Sequence, residues 1–477
     1  MDMTLLGPEI WMTLLACTIL GVDILWPNFS KRHLAYLAAA GLMLVLGPTL
    51  GLSLNQTRGT LFGTMFIIDP LATFFQVFIL VSTLLALLAS VDAIERFTAF
   101  RGEYIFLLLF TALGMMFMVS ANDFLSLFIT LEFASFGFYI LVAYKREDVK
   151  SSEAGMKFFI LGVLAASLIA YGVSLIYGDT GSILFEKIAQ QSSMSLGFLV
   201  GLLFIFIGLG FKIGVVPFHA WVPDVYEGAP TVVTAYLSIV PKAAAFALLF
   251  RVLFSTLGDI AETWRWMIVA VSVLSMTYGN ITAIAQTNMK RLLAYSGIAQ
   301  IGTLCIGLAS ATQMGSHATL FYLLAYLFAN LGAFIVVIIY SNLTEKDDLQ
   351  DFAGLNRRSP ILAFAMLIFL LSLAGVPPLA GFLAKVYIFA GAVEQGLLFL
   401  VSVGLINVII SFYYYLIIVK KMYTLPPAET TEIPISIPMK IALYTCMAGT
   451  LLLGIWPAPW IDYAVSATDI FQNMPIR

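Results

Sequence analysis

Apolar runs of about 20 residues recur along the entire chain, and nothing else in the sequence restricts the fold so strongly. A bilayer core about 30 Å thick needs about 20 apolar residues per helix. Soluble domains carry about 25% charged residues, whereas this chain of 477 residues carries 11%, with 61% hydrophobic. A water-soluble core of this size is excluded, and the expected fold class is an all-α integral membrane protein. The net charge of −3 offers no basic surface for nucleic acid. Cys17, Cys305 and Cys446 are isolated within apolar stretches, without the CxxC spacing of zinc or iron–sulfur ligation, and read as small buried hydrophobes. The opening MDMTLLGPEIWM has no basic region before its apolar run, so the first segment reads as a retained helix.

Polar breaks divide the runs into about fourteen transmembrane helices, near 4–26, 34–52, 66–90, 103–120, 122–144, 156–177, 197–217, 229–252, 265–285, 292–311, 317–340, 360–390, 396–419 and 440–460. An even number puts both termini on one side. Of the 24 Lys and Arg residues, sixteen fall in loops after odd-numbered helices; Arg58, Lys187, Arg251, Arg265 and Arg477 fall on the other side. Cytoplasmic loops are enriched in Lys and Arg. Both termini are therefore expected on the non-cytoplasmic, periplasmic side of a cell inner membrane.

The remaining three, Lys212, Lys242 and Lys385, lie within apolar segments, and Glu132 lies midway between Asp123 and Lys145. A charge at the bilayer centre costs from about 2.5 to over 10 kcal/mol and marks protein interior, water or a partner. Three readings stay open. The lysines can snorkel to the interface. Glu132 and Lys212 can form a static buried ion pair. Or the four form a switchable line, because burial disfavours a charged lysine while a nearby carboxylate restores it. In that reading Glu132 sets the proton affinity of its neighbour, Lys242 relays at the centre, and Lys385 loads or releases at the far end.

Two membrane lysines accompany helix breakers. FKIGVVPFHAW holds Gly214 and Pro217, and LAGVPPLAGFLAKVYIF holds Gly375, Pro377 and Pro378. Unwound backbone at membrane depth persists only where protein or water satisfies it. The breaks fall in helices 7 and 12, five apart, so the two units run in opposite directions across the membrane. The expectation is two inverted five-helix repeats, helices 4–8 and 9–13. The boundaries are 1–102 for helices 1–3, 103–252 and 253–422 for the repeats, and 423–477 for helix 14. Gly210 and Gly214 also form a GxxxG packing pattern.

Lesser candidates have plainer readings. His219 lies in a loop after the first break and could admit protons near neutral pH, or bond to backbone. Asp224 and Glu227 read as capping the start of helix 8, and Glu153 as a first-turn charge on helix 6. Asp23 and Asp69 need no special role, and Lys290 and Arg291 follow the loop bias. His33 and His317 read as structural. No phosphate loop, HExxH or nucleophile elbow is present.

The stretches SANDFLSLFITLEFASFGFYIL, FKIGVVPFHAWVPDVYEGAPTVV, AIAQTNMKRLLAYSGIAQIG and LAGVPPLAGFLAKVYIF resemble the antiporter-like membrane subunits of respiratory complex I, NADH:quinone oxidoreductase. The last stretch, the length and the helix count are most similar to its subunit N branch (mitochondrial subunit 2). The resemblance covers essentially the whole chain. It implies a proton-translocating membrane-arm subunit of that enzyme whose two repeats form proton half-channels. Proton transfer would run through Glu132, Lys212, Lys242 and Lys385, which match the family's glutamate and basic positions. It implies homologous and small membrane subunits as partners, with lipids around them. This chain would hold no cofactor or metal; NADH, FMN, iron–sulfur clusters and quinone would belong to other subunits. Sister subunits carry histidine and lysine in helix 11; Tyr326 and Asn330 stand at those positions here, so no proton residue is carried over there. An Mrp-type cation/proton antiporter subunit is the alternative, disfavoured by the single deep acid, since sodium sites need several oxygens. A static scaffold is the third reading.

Overall fold

The computed structural model describes residues 3–97, 100–191, 195–427 and 431–471. Arg477, counted above toward orientation, lies outside them. Thirteen helices among the described residues are long and apolar enough to cross a membrane. A fourteenth span consists of two halves, Pro360–Ala374 and Ala380–Glu394, each too short to cross by itself. In chain order α1 is Gly7–Leu25, α2 Lys31–Leu54, α3 Pro70–Ile94, α4 Arg101–Val119, α5 Phe124–Val142 and α6 Val149–Thr180. The seventh is split into α7a, Leu196–Ile213, and α7b, Trp221–Gly228. The eighth is split into α8a, Thr231–Leu237, and α8b, Val240–Phe250, which runs on as a π turn at Arg251–Thr256. Then come α9 Ala261–Ile284, α10 Met289–Ser310, α11 Gln313–Thr344, the halves α12a and α12b named above, α13 Leu398–Thr424 and α14 Ile437–Ile455.

Helix ends follow local chemistry. The helix expected from residue 66 begins only at Pro70, because Asp69 caps it, accepting from the Ala72 N–H at 2.8 Å. Residues 66–68 instead pair with 59–61 as a two-stranded antiparallel hairpin, β1 (Gly59–Leu61) with β2 (Phe66–Ile68). The helix expected from 156 begins at Val149 behind the Asp148 cap. Glu153 therefore lies in the second turn, where it pairs with Lys157 at 2.8 Å.

Burial sorts the bundle. The most apolar stretch of α2 is 28% buried, whereas those of α10 and α11 are entirely buried and that of α8 is 94% buried. These three form the centre, and α1, α2, α6 and α13 form the rim. Cys17 on rim helix α1 is exposed rather than buried; Cys305 and Cys446 are buried. Lipid tails are as apolar as Leu, so close packing joins the helices. A Cβ at Gly172 of α6 would stand 2.5 Å from the Gly201 carbonyl of α7a. Gly210 and Gly214 do not serve this contact; they face Phe218, Val215 and Val222 of the adjoining break.

The breaks in the seventh and twelfth spans share one construction. Gly214 (φ +76°) and Gly375 (φ +93°) end the preceding half-helix in the left-handed region. The Gly214 N–H bonds the Gly210 and Phe211 carbonyls, and the Val215 N–H bonds Gly210; the Gly375 N–H bonds Leu371 and Ser372, and the Val376 N–H bonds Leu371. The break in α8 was not expected. Pro241 has no N–H to give the Leu237 carbonyl, and the chain turns at Ser238–Ile239.

In the twelfth span the halves touch directly: the Gly381 N–H donates to Ser372 Oγ at 3.1 Å, and a Cβ there would stand 1.9 Å from the Ser372 carbonyl oxygen. Gly381→Ala is expected to destabilise the protein by about 1–3 kcal/mol through overpacking. The check is the thermal unfolding midpoint in detergent, which an innocuous contact would leave unchanged.

Candidate functional site

Glu132 lies midway along α5 on the face that presents Ile129 and Phe136, both exposed. Lys212 occupies the last turn of α7a, where the carbonyl pole of the helix favours a cation. Its Nζ donates to Ser135 Oγ at 2.7 Å and stands 3.3 Å from Glu132 Oε1. The two side chains are 12% and 15% exposed, so the pair sits at the rim of the chain.

Lys242 follows the α8 break and is buried. Its Nζ stands 5.4 Å from the centre of the Tyr226 ring and has no protein hydrogen-bond partner. Gly297 of α10 leaves the space beside it: a Cβ there would be 3.5 Å from Lys242 Nζ and 3.1 Å from Tyr326 Oη. Asn330 Nδ2 donates to Ser238 Oγ at 2.8 Å. Asn330 Oδ1 and Tyr226 Oη are buried without partners, as is Lys242 Nζ. Water is the ordinary partner for such groups, typically about three hydrogen bonds per buried molecule. Tyr326 and Asn330 thus line the Lys242 pocket, though neither supplies a charge.

Lys385 reaches back across its own break. Its Nζ donates to the carbonyls of Leu373 at 2.8 Å and Ala374 at 2.9 Å, both in the last turn of α12a. Gly375 admits the stem, since a Cβ there would approach Lys385 Cδ to 3.0 Å. Lys212 and Lys385 therefore flank their breaks from opposite sides, and Lys385 alone bonds the carbonyl end of the other half-helix.

The links between these sites differ. From Lys385 the shared Leu373 carbonyl leads to Gln300 Nε2 at 2.9 Å, and Gln300 contacts Tyr415 Oη at 3.3 Å and the Tyr322 hydroxyl. Tyr415 Oη meets Ser296 Oγ at 2.5 Å, one residue from Gly297 beside Lys242. A polar chain thus runs from Lys385 to Ser296, the residue before the glycine beside Lys242. From Lys212 and Ser135 toward Pro241, the residue before Lys242, lies a cavity of about 30 Å³ whose other walls include Met115, Met118, Leu131, Phe138 and Leu237. That volume holds one or two waters, and apolar walls give them few partners. The stretch beside the ion pair is walled mainly by apolar side chains.

A polar cavity of about 800 Å³, lined by Lys145, Glu227, Lys290 and Asp347 among others, opens on the loop side. Lys290 is buried, bonded to the Glu227 carbonyl at 2.6 Å and to Asp347 at 3.0 Å. It stands seven residues before Gly297, on the same face of α10. Its placement goes beyond a loop-side charge bias. Asp224 and Glu227 lie on α7b rather than capping α8. Asp224 pairs with Lys157 at 2.7 Å and Arg291 at 2.9 Å, and Arg291 also meets Glu227 at 3.0 Å, clamping α7b between α6 and α10. His219 is not brought to the line: its ring packs edge-on against Tyr278 of α9 at 4.6 Å.

Two buried sites have no role in the sequence reading. Asp69 accepts both Arg251 guanidinium nitrogens at 2.9 Å, with the side chains 6% and 2% exposed. Glu9, in the first turn of α1, is fully buried within the protein. Among the described residues no cluster of three or more His, Cys, Asp or Glu forms a metal site.

The model of the family described as NADH:quinone oxidoreductase/Mrp antiporter, TM, matches residues 121–411. Over 474 residues the chain is 43% identical to NADH-quinone oxidoreductase subunit N of Desulforamulus reducens, covering 98% of this chain and 99% of that protein. The chain belongs to the NADH-quinone oxidoreductase subunit N family. A chain from the structure of respiratory complex I from Thermus thermophilus with bound aureothin matches at 30% identity and TM-score 0.82, covering 96% of this chain and 99% of that one. A chain of the Mrp complex from Dietzia sp. matches at TM-score 0.86 but 21% identity, a likeness of fold alone. The segment shared with the wider family holds Glu132, Lys212, Lys242 and Lys385; Glu9 lies outside it.

Proposed function

We propose that the chain is the proton-translocating subunit N of a membrane NADH:quinone oxidoreductase, moving protons as quinone is reduced in other subunits. The observation that carries this reading is Lys242, a buried amine without a protein partner at the centre of the bundle. On one side a polar chain runs from Lys385 to Ser296, one residue from the glycine beside Lys242, and on the other the Glu132–Lys212 pair lies beyond a mainly apolar stretch. Opening that stretch to water would connect the line, and closing it would prevent back-flow. Helices 4–8 and 9–13 act as inverted half-channels, a reading supported by the matched breaks in the seventh and twelfth spans. The large polar cavity above Lys290 is the inlet.

Glu132 on an outward face implies a protein neighbour, because a carboxyl facing hydrocarbon is costly. Homologous membrane-arm subunits fill that place, with lipid around the rest of the rim. The redox groups (FMN, iron–sulfur clusters, NADH and quinone sites) belong to partner subunits. The loop bias in Lys and Arg places both termini on the non-cytoplasmic side of the cell inner membrane.

The fold likeness to the Mrp complex keeps one competing reading, a cation/proton antiporter subunit. The whole complex, reconstituted into vesicles loaded with a pH-sensitive dye, separates them. NADH and quinone are expected to drive proton movement that is indifferent to sodium. Movement that requires a sodium gradient, with none driven by NADH, would sink the oxidoreductase reading.

A further inference from the structure

We propose that Glu9 is a proton-binding site at the end of the bundle that carries the N-terminus, joined through Gln76 and Ser120 to a cavity on that face. The proposal rests on the reading that this chain carries protons, and it adds a site outside the central line.

Glu9 lies in the first turn of α1, where a carboxylate can face water and stabilise the positive helix pole. Here it is 0% exposed. Its Oε1 accepts from Gln76 Nε2 of α3 at 2.6 Å, and the same nitrogen donates to Ser120 Oγ at 3.1 Å, just past the end of α4. The other oxygens of both groups, Glu9 Oε2 and Gln76 Oε1, are buried with no partner. An ionised carboxylate only accepts, and an amide oxygen only accepts. Two facing residues thus present two buried acceptors and no donor for either. One proton on Glu9 supplies the missing donor. Among the described residues no lysine, arginine or histidine pairs with Glu9. The nearest charges along the hydrogen-bond network are Arg251 and Asp69, which neutralise each other. A buried carboxyl with no counter-charge takes a proton rather than stay ionised.

The site has a way out. Arg251 Nε donates to the Val119 carbonyl at 3.2 Å, next to Ser120. Arg251 and Asp69 line a cavity of about 430 Å³ together with Arg58 and Asn122. Leu5, Phe66, Ile68 and the neighbouring Phe117 pack as an apolar plug at this end, leaving the polar groups as the passage. Gln76 and Thr83 are seven residues apart on one face of α3, about 10 Å along the helix. Thr83 Oγ1 meets Tyr236 Oη at 3.0 Å, two residues before Ser238 in the Lys242 pocket. Glu9 therefore lies, with Gln76 and Thr83, on the side of α3 that meets Tyr236 of α8a.

Glu9→Gln keeps the shape and the Gln76 bond but cannot titrate. In the whole complex, reconstituted in vesicles, it is expected to lower proton uptake per electron to half or less. The infrared difference spectrum of wild type minus variant is expected to show the C=O stretch of a protonated carboxyl, shifting in heavy water. Wild-type uptake per electron, or carboxylate bands in place of the acid band, would overturn the proposal and leave Glu9 a helix-capping residue. If the variant does not assemble, Gln76→Met retains Glu9 and is expected to shift that band and reduce uptake; an unmoved band overturns the proposal equally. The infrared readout does not depend on pumping, and Lys242→Ala tests the central line separately, so the two failures are distinguishable.

Discussion

A complex carrying Lys242→Ala is expected to assemble and to lose proton uptake by about 100-fold or more, the range in which a positioned proton donor or acceptor acts. Assembly should survive because Lys242 Nζ bonds to no protein group. Its removal leaves no orphaned partner, and it relieves the cost of an amine at the bilayer centre. Lys242→Met, which keeps most of the volume, separates packing from titration and is expected to behave like alanine. Glu132→Ala should also abolish uptake, since Lys212 would then have only the Ser135 hydroxyl. A static scaffold predicts the opposite in all three: uptake at wild-type level once the complex assembles. Dye-monitored uptake normalised to assembled complex decides between them.

The second large effect is structural. Arg251→Leu is expected to remove most of the assembled subunit from membranes. Breaking a buried pair by deleting one partner costs about 3–5 kcal/mol, because the other charge is left uncompensated. Folding stabilities are about 5–15 kcal/mol, so this is a large fraction. Asp69 would remain buried at the start of α3, and the Val119 carbonyl would lose its donor. Asp69→Asn combined with Arg251→Leu should recover part of the loss, since no lone charge remains. Immunodetection of the subunit in purified membranes measures both. Equal amounts in the single and double variants would show that the pair contributes shape rather than charge compensation.

Much of this architecture is legible from composition and spacing. The fourteen spans follow from the length an apolar run needs, and the breaks in spans 7 and 12 follow from Gly and Pro beside a lysine. The missed break in α8 had a signal in the same chemistry, Pro241 one residue before Lys242 inside an apolar run. Helix starts were misplaced where a cap was overlooked, as at Asp69–Pro70 and Asp148. The four membrane-depth charges stand out in sequence because each is flanked by many apolar residues. Glu9 and Arg251 do not, since each lies near a helix end where water or headgroups would ordinarily receive it.

The chain's residues by themselves determined that it lives in a membrane, how many times it crosses, and which ionisable groups lie deep, because these depend on distances along one helix. Only the tertiary structure decided which groups meet. Lys212 found Glu132 eighty residues away, Asp69 found Arg251, His219 turned to Tyr278, and Glu9 was enclosed by α3 and α4. Apolar helices are nearly uniform on all faces, so no amphipathic stripe in the sequence announces which side will face a neighbour.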